Sequence, residues 1–382
     1  MARILVSAGE YSGDIHAAWV IKRIKELVPD VRVSGMGSSR LREAGAKIII
    51  DPTGINSVGL QEAVQNLRTH WEHYRRLKEL VEQFSPRVMF LVDYSGFNMM
   101  MARLGKKKGI PVVNYFSPSA WIWGQWRARW MARMEATIAA VFPGEIDVYR
   151  RAGAEVRFVG HPLLDIVEPV VDEGLVYEEL ELDPQKPVIA LLPGSRRAEV
   201  RKLLNPMLEA AARLQQDNKE LQFVLPLAED IGFRQVEKRV SRQKLIARVV
   251  KQRTRAVMQI SDFIITASGT ATLEAAILGT PMLIIYKTGD ITYKLGKKLV
   301  KKRFIGLPNL VADNDVVPEL VQDEVTAAGI FKKANYYLRK PYLLKEMERN
   351  LEQMSDILGE KGAIERTAKL VLEKGAIKCE QK

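Results

Sequence analysis

The sequence predicts an α/β protein built from two doubly wound domains in tandem. Two distant stretches, beginning at Arg3 and Pro187, share one order of features: a short apolar run, a loop with Gly and Ser, and then apolar residues at steps of three and four. That order is typical of a buried strand followed by an amphipathic helix. Later apolar runs are continuous, as in parallel strands that helices cover on both faces. These runs are 88–93, 112–116, 223–227, 263–268 and 282–287.

The boundary between the domains is expected near residue 170, in an acidic stretch that contains proline. We predict a first domain over 1–170 and a second over 171–340, with the polar helical segment 341–382 packing back on the first. Ligands of doubly wound domains bind at the carboxyl ends of the strands, so a cleft between the domains is the expected site.

Composition narrows the class of protein. The chain has 382 residues, a net charge of +12 and one cysteine, so a disulfide framework is excluded and a cysteine metal cage is not expected. No apolar run is long enough to span a bilayer, and the amino terminus lacks a signal-peptide pattern, which favours a cytoplasmic location. Basic clusters at 105–109, 233–255 and 293–303 fit either solvated helix faces or attraction to anions.

One aromatic segment stands out. Four of the six tryptophans lie within 117–133, at Trp121, Trp123, Trp126 and Trp130, among three arginines. Aromatic faces among guanidinium groups suit single-stranded nucleic acid, an anionic membrane surface or a sugar, and the pattern alone leaves these three open.

Two loops of the second domain are candidates for anion binding. Ser268, Gly269 and Thr270 follow a buried strand and begin a helix, whose amino end is a natural seat for a diphosphate. Glu274, one turn in, could accept hydrogen bonds from a ribose diol. Arg196, after the earlier strand, could neutralise a leaving diphosphate. A capped core helix explains the first segment equally well.

In the first domain, Asp93 ends a buried strand, where a carboxylate is costly unless it is hydrogen-bonded or catalytic. It could serve as a general base or cap the next helix. His161 follows another strand and is expected to be structural. Asp313 and Asp315 form an Asp-X-Asp pair, for which we do not expect a metal.

Seven segments in the same order resemble the lipid-A-disaccharide synthase family. They are GEYSGD (9–14), VDYSGFN (92–98), YFSPSAWIW (115–123), FVGHPL (158–163), LLPGSR (191–196), ASGTATLE (267–274) and LPNL (307–310). The resemblance implies two Rossmann-like domains facing a cleft, the GT-B plan, with acceptor bound by 1–170 and UDP-sugar by 171–340.

The resemblance also implies an activity. The expected enzyme is an inverting glycosyltransferase that needs neither metal nor cofactor. It would join UDP-2,3-diacylglucosamine to 2,3-diacylglucosamine 1-phosphate, giving the β-1,6 disaccharide phosphate and UDP. It would work peripherally on the anionic inner face of the cytoplasmic membrane, without a nucleic-acid partner. Whether it forms a homodimer is left open.

Site residues follow from the matching motifs. Asp93 matches the family's essential aspartate, the expected base for the acceptor 6-hydroxyl, and Glu10 is expected beside it as a second catalytic residue. The expected UDP-sugar contacts are Gly194, Ser195, Arg196, Ser268, Gly269, Thr270, Glu274 and Asn309. The expected acceptor or lipid contacts are Ser12, Asn98, Ser117, Trp121, Trp123 and Arg127. Trp126 and Trp130 would border a membrane-facing rim.

The chain departs from the family pattern at a few positions. Ser95 and Gly96 stand where the family commonly has proline and aspartate, and Gly124 stands where it has arginine. Because Asp93 is kept, glycosyl transfer is still expected, whereas the acyl pattern and the acceptor are left open.

Two other classes of function compete. A UDP-sugar epimerase uses the same two-domain plan but needs no acyl-binding surface, so the tryptophan segment speaks against it. A non-enzymatic binder of nucleic acid or membrane would fit the +12 charge. It leaves Asp93 and the 268–274 segment unexplained.

Overall fold

The chain folds into two compact units in the computed structural model, which describes residues 1–52, 67–228, 231–289, 293 and 303–378. The first unit comprises Met1–Asp165 together with Leu358–Lys382, and the second comprises the described residues between them. Most of the basic cluster predicted at 293–303 lies outside the described residues.

A parallel sheet forms the centre of the first unit. Within the described residues it has seven strands in the order β3-β2-β1-β4-β5-β6-β7. Successive residues of a strand point to opposite faces, so Ile4 and Val6 pack into one core layer and Leu5 into the other. The strands are β1 (Arg3–Ala8), β2 (Arg32–Met36), β3 (Lys47–Ile50), β4 (Val88–Val92), β5 (Val112–Tyr115), β6 (Thr137–Ala140) and β7 (Val156–Phe158).

Helices cover both faces of this sheet, which is why its strands are apolar throughout. Helix α4 (Ser95–Lys108) is followed by Gly109, whose φ of +67° favours glycine, and three lysines in its last turn suit the negative end of the helix dipole. The helices are α1 (Tyr11–Leu27), α2 (Ser39–Glu43), α3 (Leu67–Phe84), α4 (Ser95–Lys108), α5 (Trp126–Arg133), α6 (Pro143–Arg151) and α7 (Leu163–Ile166).

The second unit repeats the plan with a parallel sheet in the order β10-β9-β8-β11-β12-β13. Its strands are β8 (Val188–Leu192), β9 (Gln222–Leu227), β10 (Ala247–Lys251), β11 (Phe263–Ala267), β12 (Met282–Tyr286) and β13 (Glu319–Val321). Its helices are α8 (Glu173–Glu179), α9 (Arg197–Asp217), α10 (Phe233–Arg242), α11 (Thr254–Gln259), α12 (Thr270–Ile277), α13 (Leu307–Ala312), α14 (Ala327–Leu338) and α15 (Pro341–Ile357), with a 3₁₀ turn at Gln322–Glu324.

The carboxyl-terminal segment is divided between the two units. Helix α15 belongs to the second unit, whereas the last helix, α16 (Ala363–Lys374), belongs to the first. Glu365 of α16 forms an ion pair with Arg23 of α1. The Ile364 N–H donates to Asp165 Oδ2 at 2.8 Å, so the start of α16 is also tied to the end of the first unit.

Each sheet has one place where the strand order reverses. In the first unit this switch point lies between β1 and β4, and in the second between β8 and β11. In doubly wound proteins the loops after such a strand pair leave in opposite directions and open a crevice in which ligands bind. The predicted fold class, two doubly wound α/β domains, is confirmed.

Candidate active site

Three predicted site residues meet at the first switch point. Glu10 and Ser12 follow β1, and Asp93 follows its neighbour β4. The Ser12 Oγ–H donates to Asp93 Oδ2 at 3.2 Å, which joins the start of α1 to the end of β4. The topology of the sheet, rather than closeness in the chain, therefore brings the candidate base and its neighbours together.

The backbone at Asp93 is unusual. Asp93 and Tyr94 have φ values of +52° and +55°, in the left-handed region that residues with a side chain rarely adopt. Such positions typically persist where the surrounding structure imposes them, often at functional sites. The Tyr94 N–H donates to Asp93 Oδ1 at 2.8 Å, so both carboxylate oxygens accept a hydrogen bond and the half-buried side chain has a defined orientation.

Asn98, an expected acceptor contact, has its side chain inside the fold. Its side chain is 1% exposed, and Oδ1 accepts the Ser7 hydroxyl at 2.9 Å. Nδ2 donates to the Val92 carbonyl at 3.2 Å and also to the Asp93 carbonyl. The amide is therefore engaged inside the fold, and Asn98 is a residue that positions the end of β4 and with it Asp93.

Glu10 lies at the amino end of α1 and is half-buried. Burial, and secondly the negative charge of Glu10, raise the pKa of Tyr94 to about 12, so this phenol stays protonated at neutral pH. Its hydroxyl contacts His70 Nε2.

Asp14, in the same GEYSGD loop as Glu10, accepts the backbone N–H groups of Ser38 at 2.6 Å and Arg40 at 3.1 Å. Asp14 therefore holds the start of α2.

The tryptophan segment follows β5, the next strand after β4 in the sheet. Trp121 is half-buried with its ring 5.5 Å from that of Phe142, and Trp123 is 39% exposed beneath the guanidinium of Arg127, at 3.8 Å. Ser117 is buried, and its hydroxyl donates to the Asn114 carbonyl at 3.4 Å.

The two tryptophans expected at a rim differ from each other. Trp126 is exposed, whereas Trp130 is half-buried and packs against the core of the first unit. Trp126 can therefore contact a surface outside the chain, and Trp130 serves mainly to fix α5 on the sheet.

The second switch point begins with the loop after β8. Gly194 has a φ of +110°, and a Cβ there would lie 2.5 Å from a Glu199 carboxylate oxygen. That carboxylate accepts the Arg196 N–H at 3.4 Å and lies 3.6 Å from the Arg196 guanidinium. Ser195 and Arg196 are exposed at the start of α9, so they can meet a ligand.

The neighbouring loop, after β11, leaves space beside the amino end of α12. Gly269 is exposed with extended backbone, and among the described residues no atom lies within 4 Å of where its Cβ would be. Thr270 begins the helix, whose first N–H groups lack intrahelical partners and carry the positive end of the dipole. Ser268 Oγ–H donates to the Ile305 carbonyl at 3.3 Å, which fixes the loop. The open space beside Gly269 suits a diphosphate.

Glu274 lies one turn into α12 and is half-buried. One of its carboxylate oxygens accepts Arg255 Nε–H at 2.7 Å, and another guanidinium nitrogen of Arg255 donates to the Ile166 carbonyl at 3.0 Å. Sequence reasoning missed Arg255, because nothing in its local pattern marks it. The ion pair orients Glu274 and reduces its capacity for further hydrogen bonds.

Asn309, an expected UDP-sugar contact, is wholly buried. Its Nδ2 donates to Val317 O at 2.8 Å and Glu319 Oε1 at 2.7 Å. Its Oδ1 accepts the N–H groups of Val316 at 2.8 Å and Val317 at 2.9 Å. An amide can make four hydrogen bonds, so this one is saturated and joins α13 to the start of β13.

Within the described residues, no group of three or more His, Cys, Asp and Glu side chains is arranged to hold a metal ion, and Asp315 lies 3.3 Å from the guanidinium of Arg303. No helix in the described part of the chain has both the length and the apolar character needed to cross a membrane.

Solved structures similar to this chain include two with a bound uridine nucleotide. An S. aureus protein solved with UDP has a TM-score of 0.68 at 13% identity, covering 100% of this chain and 99% of that one. The UDP-GlcNAc 2-epimerase of Neisseria meningitidis, solved with UDP-GlcNAc, has a TM-score of 0.66 at 16% identity, over 97% of this chain and 100% of that chain. At these identities the likeness establishes the two-domain fold.

Sequence similarity identifies the family. The lipid-A-disaccharide synthetase family profile matches residues 4–373. The lipid-A-disaccharide synthase of Geobacter sulfurreducens is 38% identical over 97% of both chains, and that of Myxococcus xanthus is 37% identical over 97% of both. Together with the two Rossmann-like units and the residues at their switch points, these matches establish that the chain belongs to the lipid-A-disaccharide synthase family of glycosyltransferases.

Proposed function

We propose that the enzyme transfers 2,3-diacylglucosamine from UDP to the 6-hydroxyl of 2,3-diacylglucosamine 1-phosphate, with inversion at the anomeric carbon. Family membership supports hexosyl transfer in lipid A biosynthesis. Two features together carry the proposal. At the first switch point the carboxylate of Asp93 is held by two hydrogen bonds, and at the second there is open space at Gly269 beside the amino end of α12.

Asp93 is the proposed general base. Its carboxylate takes the proton of the acceptor 6-hydroxyl as that oxygen attacks the anomeric carbon of the donor and the bond from that carbon to the diphosphate oxygen breaks. One displacement inverts the configuration, so an α-linked donor gives a β-linked disaccharide and no enzyme nucleophile is required. Hydrogen bonds from Ser12 and the Tyr94 N–H support this role because they fix the carboxylate before substrate arrives.

The donor diphosphate is proposed to lie against the amino end of α12. The space beside Gly269 admits phosphate oxygens to the first N–H groups of the helix, and the guanidinium of Arg196 can balance the charge that develops on departing UDP. Glu274, oriented by Arg255, is the proposed ribose ligand. The structures solved with UDP or UDP-GlcNAc on the same fold support a uridine nucleotide as ligand.

We further propose that the enzyme reaches its acylated substrates at an anionic membrane surface. Trp126 is 59% exposed, and an exposed indole can enter the interfacial region of a bilayer. The Trp126→Ser variant should co-sediment less with anionic vesicles than the parent chain, and Trp130→Ser should differ mainly in stability. Equal sedimentation of the parent and Trp126→Ser would exclude this contact.

The decisive experiment combines product identity with acceptor dependence. The purified chain is incubated with a mixed pool of acylated UDP-sugars and sugar 1-phosphates, and the products are identified by mass spectrometry and by the proton coupling at the new anomeric centre. We expect a β-linked disaccharide phosphate and UDP release that requires acceptor. Conversion of the UDP-sugar to an epimer without any acceptor would instead identify an epimerase.

A further inference from the structure

Arg127 is a buried cation for which the described residues supply no carboxylate partner. The residue is 7% exposed, yet within the described part of the chain no carboxylate forms an ion pair with it. Buried arginines are normally paired with an anion, because removing a charge from water is costly. Burial lowers the pKa of Arg127, as it does for a guanidinium that has lost contact with water.

The contacts that Arg127 does make are with its own turn. Nη2 donates to the Trp123 carbonyl at 2.7 Å, Nε donates to the Gly124 carbonyl at 3.4 Å, and the guanidinium lies 3.8 Å from the centre of the Trp123 ring. These contacts fix the plane of the guanidinium without neutralising it. A rigid guanidinium loses little freedom when it binds an anion, so the arrangement is preorganised.

Gly124 contributes to this arrangement. Its φ is +65°, and a Cβ there would lie 3.0 Å from Arg127 Nε. A side chain at position 124 would therefore have a strained backbone and would press against the guanidinium. Arg127, held by Trp123, therefore places a positive charge at the turn formed by residues 123–127.

A buried carboxylate in the adjoining helix, α6, has its hydrogen bonds elsewhere. Glu145 is buried and accepts the backbone N–H groups of Val141 at 2.8 Å and Phe142 at 3.1 Å. The Tyr149 hydroxyl donates to the Pro118 carbonyl at 2.7 Å. Neither group supplies the counter-charge to Arg127.

The position of the turn points to the acceptor. Strand β5, which leads into it, pairs with β4, which ends at the proposed base, and the Asp93 N–H donates to the Tyr115 carbonyl at 2.9 Å. Parallel neighbours lie about 4.8 Å apart, so the segment that leaves β5 at Phe116 and leads to Trp123 and Arg127 begins beside Asp93. The acceptor of the proposed reaction carries one anionic group, a phosphate monoester.

From the contacts of Arg127 and its place after β5, we infer that this residue binds the phosphate monoester of the acceptor sugar. The assignment rests on the proposed function, because it presumes a sugar phosphate as acceptor. A planar guanidinium makes two parallel hydrogen bonds to phosphate oxygens, and Trp123 holds it in place for them.

The test compares two acceptors, 2,3-diacylglucosamine 1-phosphate and the same sugar without phosphate. We expect Arg127→Met to raise KM for the phosphorylated acceptor about tenfold or more, the usual effect of losing charge-assisted hydrogen bonds. KM for the unphosphorylated acceptor should stay within about twofold of the parent value, because it lacks the group that Arg127 binds. Arg103→Met, which removes an exposed arginine from α4, is the matched control and should leave both values unchanged.

Folding is checked separately, since Arg127 also holds its turn. Arg127→Lys keeps the positive charge but loses the planar guanidinium, so it should recover part of the preference for the phosphorylated acceptor. Thermal unfolding is measured for both variants. If Arg127→Met raises KM equally for the two acceptors, the residue is structural and the assignment is wrong. If the parent chain forms no disaccharide from either acceptor, the proposed function itself fails.

The phosphate of a lipid headgroup is the other anion that Arg127 could bind. Binding to vesicles containing phosphatidylglycerol is therefore measured for the parent chain and Arg127→Met. Unchanged vesicle binding together with the KM difference supports the acceptor phosphate. Reduced vesicle binding without a KM difference would assign Arg127 to lipid headgroups and overturn the inference.

Discussion

The two switch points of this protein occupy equivalent places in two similar sheets, yet they differ in chemistry. The first holds carboxylates, a strained backbone at Asp93 and Tyr94, and side chains whose hydrogen bonds are made within the unit. The second holds exposed Ser195 and Arg196, and open space beside Gly269. A doubly wound sheet fixes where ligands bind, whereas the loop residues decide whether the place suits proton transfer or anion binding.

The largest expected effect is at the first switch point. Asp93→Asn keeps the size of the side chain but removes the proton acceptor, so kcat should fall by about 10²- to 10⁴-fold. The dissociation constant for UDP, measured by calorimetry, should stay within about twofold because the nucleotide is assigned to the other unit. A variant that keeps its turnover would remove Asp93 from the mechanism.

Two glycine substitutions sharpen the comparison at the second switch point. In Gly269→Ala the new Cβ points into the space assigned to phosphate, so UDP should bind about tenfold or more weakly with little change in the free energy of unfolding. Gly194→Ala is the matched variant. There the φ of +110° and a contact of 2.5 Å with Glu199 should lower the free energy of unfolding by about 1–3 kcal/mol. Unchanged UDP affinity in Gly269→Ala would place the diphosphate elsewhere.

The positioning role of Asn98 predicts a smaller, selective loss. Asn98→Ala removes the groups that hold the end of β4, so kcat should fall about tenfold while KM for the acceptor changes little. Ser7→Ala deletes the hydroxyl that donates to Asn98 but leaves the donations from Asn98 to β4, and its kcat should stay within about twofold. If kcat falls equally in both variants, general destabilisation explains the loss.

The smallest effect is a difference in acid stability between the units. All four histidines and all six tryptophans of the chain lie in the first unit. Tryptophan fluorescence therefore reports the unfolding of the unit in which the histidines are protonated at low pH. Burial lowers the pKa of His16 from 6.5 to about 4. Between pH 6.5 and about 4, His16 therefore binds a proton in the unfolded chain but not in the folded chain. The contribution of neutral His16 to the free energy of unfolding is complete above pH 6.5 and is lost as the pH falls towards 4.

The His16→Leu variant tests this linkage. One histidine with that pKa accounts for up to about 3 kcal/mol of the unfolding free energy between neutral and acid pH. Denaturant unfolding, followed by fluorescence at a series of pH values, should give a shallower pH dependence for His16→Leu than for the parent. His161, whose pKa is also lowered by burial, should maintain the remaining slope. Equal slopes would show that His16 does not contribute.

Much of the fold was predictable because its determinants are local. Continuous apolar runs identified the central strands, and the Gly- and Ser-containing loops identified where α1, α9 and α12 begin. Asp93 at a strand end and Gly269 before a helix were recognised as candidates from the same local pattern. Such features depend on neighbours within a few residues, so the linear sequence contains them.

The sequence by itself determined the two doubly wound units, the strands that end in polar loops and the candidates at those ends. Only the tertiary structure decided which polar side chains are buried or make their hydrogen bonds inside the fold. Asn98 meets Ser7, 91 residues earlier, and Glu274 meets Arg255. Arg127 is buried without a carboxylate among the residues that the structure describes. A hydrogen bond or a lost hydration shell depends on atoms brought together from distant segments, and no local pattern records that.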